Sequence, residues 1–132
     1  MIKETIKYVD YNNIERKEDF YFNLSKAELL EMQASEAGGL DKYIERITNE
    51  QDIQKVIAFF KKLVLMSYGK KSDDGKRFIK SKEISDEFSQ TEAYSELFMS
   101  LASDADKAAA FVNGLIPSNL ASELEKAEKK VS

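Results

Sequence analysis

The hydrophobic pattern of this chain changes period at Ser25, and that switch limits the folds open to it. Before it, IKETIKYV and IERKEDFYF (residues 2–9 and 14–22) are β-branched and aromatic runs separated by the turn-forming stretch Asp10 to Asn13, which is the mark of a β-hairpin. After it, apolar residues recur three and four apart, the spacing of helices. The expectation is an α+β chain, mainly α, with an N-terminal β-hairpin over 1–24 and a compact bundle of about five or six helices over 25–116. A chain of 132 residues has room for one such domain with a single modest core.

The same pattern selects the hairpin loop. A two-residue Asn12-Asn13 turn would set Thr5 opposite Phe20 and Ile6 opposite Asp19, mixing the faces. A three-residue loop of Tyr11, Asn12 and Asn13 puts Ile2, Ile6 and Tyr8 on one face with Phe20 and Phe22. Asn13 is the expected left-handed residue, because asparagine tolerates that conformation best among non-glycines.

Helix signals follow in order. Ser25 with Glu28 has capping-box spacing and opens KAELLEMQA, which Gly38-Gly39 closes. Leu40, Tyr43, Ile44 and Ile47 continue at helical spacing until Thr48 or Asn49. Residues 50–68 form the strongest and central helix, with the stripe Ile53, Val56, Ile57, Phe60, Leu63 and Val64, widened by Phe59, Leu65 and Met66. Gly69 is expected to stop it, leaving GKKSDDGK as an exposed helix-exit loop and RFIK as a short extended piece. KEISDEF after Ser81, QTEAYSELFMSLA after Ser89 and DADKAAAFV after Ser103 read as further helices. The last of these offers a small-residue face of Ala105, Ala108, Ala109 and Val112, and Asn113-Gly114 ends it. Residues 117–132 are a tail, partly helical or disordered.

The chain contains no cysteine and no histidine, so disulfides, thiol nucleophiles, Cys/His zinc sites and His-based relays are excluded within it. GKKSDDGK fails as a phosphate loop. Five residues rather than four separate its glycines, Arg77 stands where a magnesium-binding hydroxyl belongs, and a helix precedes it. It fails as a calcium loop too: counting from Asp73, the third, fifth and twelfth positions are Gly75, Arg77 and Ile84. Asp-Asp-Gly is better explained as turn chemistry. Carboxylate pairs such as Glu28 with Glu31 or Glu83 with Glu87 have ordinary one-turn spacing, so no enzyme, metal or cofactor is expected.

Charge is unevenly placed. From Gly69 to Lys82, Lys70, Lys71, Lys76, Arg77, Lys80 and Lys82 stand against Asp73 and Asp74; from Glu83 to Asp106 there are seven carboxylates and no cation. Such a step can pair inside one fold, stay solvated, or orient one subunit against the next. The chain also has eight phenylalanines, six tyrosines and four methionines, types favoured at adaptable interfaces. The expected partner-binding residues are Lys70, Lys71, Lys76, Arg77 and Phe78, and Glu83, Asp86, Glu87, Phe88, Tyr94 and Phe98. A nucleic-acid-binding regulator using Lys70 to Lys82 is the alternative; an acidic net charge of −4 speaks against it. No run approaches the roughly 18 apolar residues of a membrane span, and the N-terminus lacks the apolar core of a signal peptide.

Three stretches, DFYFNLSKAELLEM, LVLMSYGKKSDDGKRFIKS and EFSQTEAYSELFMSLASDADKAAAFVNGLIPS, in this order and spacing resemble the tail assembly chaperones of long, noncontractile-tailed bacteriophages of Gram-positive hosts. The resemblance covers roughly residues 2–120. It implies a non-enzymatic protein of the host cytoplasm that coats the tape measure protein, keeps it soluble and is displaced by tail tube subunits. It further implies self-association and a frameshifted longer form, of which this chain would be the short counterpart. The family supplies no catalytic motif.

Overall fold

The computed structural model describes residues 1–35, 42 and 53–116. Their elements are β1 (Ile2–Val9), β2 (Glu15–Phe22), α1 (Lys26–Ser35), α2 (Ile53–Ser67), β3 (Tyr68–Lys71), β4 (Phe78–Ile79), α3 (Lys82–Ser89), α4 (Glu92–Ser103) and α5 (Ala105–Leu115). This is the α+β, mainly α architecture that the change of period implied. The Gly38-Gly39 stop, the helical spacing of 40–47, the start of the central helix at 50–52 and the tail 117–132 lie outside the described residues.

β1 and β2 pair antiparallel with Ile2 opposite Phe22 and Val9 opposite Glu15. The Asp10 amide donates to the Ile14 carbonyl at 2.9 Å, which closes the three-residue loop, and Asn13 has φ 62°. Loop length, register and the left-handed asparagine all follow the sequence reading, because only this register keeps Ile2, Ile6, Tyr8, Phe20 and Phe22 on one face. Asp10 braces the turn by accepting from the Asn12 and Ile14 amides and from Arg16 Nε.

The chain then departs from expectation at Gly69. α2 runs straight into β3 without a glycine cap, and β3 joins β2 with Tyr21 opposite Gly69 and Phe22 opposite Tyr68. β4 adds to β3, giving a four-stranded antiparallel sheet in the order β1-β2-β3-β4. GKKSDDGK is therefore a strand and a hairpin turn, not a helix-exit loop. The open edge of β2 captures the chain through backbone bonds as soon as α2 ends, an effect that no local signal encodes. The glycine serves a different need: a Cβ on Gly69 would lie 2.6 Å from Phe78 Cε2 and 2.8 Å from the Ile79 carbonyl oxygen. The left-handed glycine of this segment is Gly75, φ 72°, at the turn.

The helix caps are largely local. Ser25 and Glu28 bond reciprocally as a capping box. Ser81 caps α3 by accepting from the Ile84 amide. Thr91, not Ser89, caps α4, and Asp104, not Ser103, caps α5; Ser89 and Ser103 instead donate to carbonyls at the ends of the preceding helices. α5 continues past Asn113-Gly114 to Leu115, and its buried residues are Phe111 and Leu115. Ala105 and Ala109 of the expected small-residue face are exposed.

The core lies between the inner sheet face and the helices. Phe22, Leu63 and Val64 are fully buried. Around them Phe88 stacks on Tyr68 at 4.1 Å and 15° and meets Phe22 edge-on at 5.8 Å, while Phe111 meets Phe22 at 5.4 Å. Each fully buried side chain of this size contributes roughly 1.5–3 kcal/mol, so this aromatic cluster is what holds α3 and α5 to the sheet.

Candidate functional site

The β3–β4 hairpin presents the basic residues as a rigid tip. The Ser72 amide donates to the Arg77 carbonyl at 2.9 Å, Ser72 Oγ donates to Asp74 Oδ1 at 2.7 Å, and Asp74 also accepts from the Lys76 amide at 3.0 Å. These bonds, Ser72 first, hold the Asp74 carboxyl below its ordinary pKa. Lys70, Lys71, Lys76 and Arg77 are exposed on this frame, and Phe78 is half-buried against Gly69. Lys71 lies 4.3 Å over the Tyr21 ring, a cation–π contact that orients it on the outer sheet face.

The acidic side is α3. Glu83, Asp86 and Glu87 are exposed and share one helix face by their spacing. Among the described residues no ion pair joins the basic hairpin to this helix; the salt bridges there are Arg16 with Asp10 and Glu18, and Lys80 with Glu28. The charge step is thus not neutralised by pairing across these two elements.

The apolar members of the expected surface divide. Phe88 is 3% exposed and belongs to the core, so it anchors α3 and offers nothing to a partner. Tyr94 and Phe98 are half-buried, 5.8 Å apart, with Tyr94 edge-on to Phe88. The exposed apolar residues are elsewhere, and sequence reasoning placed some of them in the core stripe. Ile53 is 72% and Ile57 46% exposed, with Val56 and Phe60 half-buried beside them. Thus Ile53 and Ile57 show an apolar edge to solvent on the early turns of α2, while Val56 packs against the core and Phe59 lies within it. A stripe at helical spacing reads the same whether its cover is the core or a partner, so no sequence signal separates the two. Leu30 and Met99 are exposed as well.

Lys80 connects the second hairpin to α1. Its Nζ donates to the Asn23 carbonyl at 2.5 Å and to both Glu28 carboxylate oxygens at 2.9 and 2.8 Å. Partial burial pushes the Glu28 carboxyl up, but Lys80 and the Ser25 amide outweigh it and hold the group below its ordinary pKa. Within the basic run, Lys80 is therefore a structural pin, unlike the exposed lysines at the tip. At the other end of the sheet an open depression is lined by Lys7, Tyr8, Arg16, Lys17 and Glu96. Tyr8 donates to Glu18, and that hydrogen bond, followed by partial burial and the Glu18 charge, raises the phenol to about 12; Arg16 is engaged by Asp10. Tyr11 ties the hairpin loop to α4 through Glu92 at 2.9 Å.

The described residues form a sheet-and-helix body with separated basic, acidic and apolar surfaces. No helix among the described residues is long and apolar enough to cross a membrane. No curated protein and no solved structure matches the chain. A family model described as phage tail assembly chaperone matches residues 1–132, which bears out the tail assembly chaperone part of the resemblance. The chain belongs to the phage tail assembly chaperones.

Proposed function

We propose that within tail assembly this chaperone binds the tape measure protein, keeps its helices soluble and yields it to tail tube subunits. The observation that carries the reading is the exposed stripe of Ile53 and Ile57, flanked by Val56 and Phe60, on the first turns of α2. An amphipathic helix buries its apolar face in such a stripe. A chaperone that must later release its client needs a contact of this limited kind rather than an obligate interface. In this reading the role is non-catalytic, the protein acts in the host cytoplasm, and copies associate along the tape measure rod.

Co-expression tests it. The wild-type chain should render the tape measure protein soluble in a complex with many copies per rod. Ile53→Glu with Ile57→Glu should leave the fold intact, since both side chains are exposed, and should return most of the tape measure protein to the insoluble fraction. A tape measure protein that stays insoluble with the wild-type chain would sink the reading.

A further inference from the structure

Among the described residues no helix covers the outer face of the sheet, and cations predominate there. The odd-numbered residues of β1 and β2 point away from the core, and Lys3, Lys7 and Lys17 are exposed there. The register sets Lys7 directly opposite Lys17. Like charges facing each other across a strand pair destabilise it, and among the described residues neither lysine has an ion-pair partner. Lys71, held over Tyr21, adds a fourth cation to the same face. Two carboxylates share that face: Asp19, which accepts from the Thr5 hydroxyl at 2.6 Å, and Glu15, opposite Val9 at the loop end; the four cations outnumber them.

The opposite layer has the complementary defect. Glu83, Asp86 and Glu87 point outward from α3, while its Phe88 points inward onto Tyr68 and Phe22. No cation occurs between Lys82 and Lys107. One molecule therefore presents a cationic sheet on one side and an anionic helix on the other.

We propose that the open sheet face, through Lys3, Lys7, Lys17 and Lys71, docks on the α3 face of a second copy, through Glu83, Asp86 and Glu87. The proposal rests on the reading that copies associate, and names the surfaces. Charge decides the occupant. Two sheet faces meeting each other would oppose lysines to lysines, whereas a carboxylate-bearing helix relieves the Lys7–Lys17 repulsion. A contact between two different surfaces is heterologous, so it repeats in one direction and builds a chain of subunits rather than a closed pair.

Sedimentation of the full chain tests it. Wild-type mass should rise with concentration at low salt and fall back at about 0.5 M salt, where screening acts within about 4 Å. Lys3→Glu, Lys7→Glu and Lys17→Glu together, or Glu83→Lys, Asp86→Lys and Glu87→Lys together, should each leave the smallest species, and mixing the two triple variants should restore assembly. Lys17→Glu alone replaces a like-charge pair with an opposite one. It should fold at least as well by thermal melting and yet weaken association by about tenfold. A wild-type chain that stays at its smallest mass, a sheet-face variant that assembles as wild type does, or a mixture that fails to reassemble would each overturn the proposal. So would a sheet-face variant that loses only single-stranded nucleic acid. Tape measure solubility is scored separately with the wild-type chain: a tape measure protein left insoluble there overturns the chaperone reading, whatever the sedimentation result.

Discussion

The molecule contains two β-hairpins that are built alike at their turns and differently everywhere else. In the first, Asp10 accepts from loop amides and Asn13 takes the left-handed position; in the second, Asp74 accepts from the Lys76 amide and Gly75 takes it. The first has eight-residue strands with the apolar side chains of one face on the core. The second has strands of four and two residues and no alternating pattern to fix its register. It exists because β3 adds to the edge of β2 and because Phe78 closes over Gly69. Turn chemistry is thus transferable between hairpins, while strand pairing in a short hairpin is borrowed from its neighbour.

The sharpest way to break that comparison is Gly69→Ala. The added methyl would meet the Ile79 carbonyl oxygen at 2.8 Å. A backbone atom cannot swing aside as a side chain can, so a cost of about 1–3 kcal/mol is expected. Chemical denaturation should show it, with amide exchange rising first in residues 68–79 and staying slow in β1. Equal loss of protection in both hairpins would show that the second is not a separately attached unit.

The pin at Lys80 sharpens the comparison by pH. The Glu28 carboxyl titrates below its ordinary value in the folded chain. A group with a depressed folded pKa contributes stability above its unfolded pKa and loses it as pH falls through the folded one. Acidification from neutral through the carboxylate range should therefore loosen the attachment of the second hairpin to α1. Lys80→Met should remove that part of the pH dependence and cost roughly 1 kcal/mol at neutral pH, given that the pair is partly solvated. An unchanged pH profile in Lys80→Met would place the acid sensitivity elsewhere.

The smallest effects come from the turns, where the hairpins should behave alike. Asn13→Ala and Gly75→Ala each put an alanine at positive φ, at a cost of about 1 kcal/mol. A Cβ at Gly75 meets nothing within 4 Å, so its cost is backbone strain alone. Asn13→Gly should be close to neutral. Matching losses at 13 and 75 on denaturation would support the shared turn chemistry; a much larger loss at either would mean that its turn, too, depends on tertiary support.

Much of the architecture could be read along the chain. The first hairpin's loop and register, the capping box of Ser25 and Glu28, the helices from Ser81 onward and the turn at Asp73-Asp74-Gly75 rest on contacts between residues near one another in sequence. Of the candidate site, the exposed Lys70, Lys71, Lys76 and Arg77 and the facing set Glu83, Asp86 and Glu87 were legible as charge blocks. Phe88 was not, because an aromatic at helical spacing has the same sequence signature in a core and on a surface. Lys3, Lys7 and Lys17 share the face opposite Ile2, Ile6 and Phe20 as a consequence of that register, although no run of charge marks them along the chain.

Sequence by itself determined the first hairpin's turn and register, the capping box of α1 and the presence of the later helices, since left-handed positions, alternation and helical spacing are settled within a few residues. Only the tertiary structure decided which faces would be covered. Gly69 became a strand residue because β2 offered an unpaired edge, and Ile53 stayed exposed while Leu63 on the same helix was buried. Burial and edge pairing depend on what arrives from distant parts of the chain, and no local pattern records that arrival.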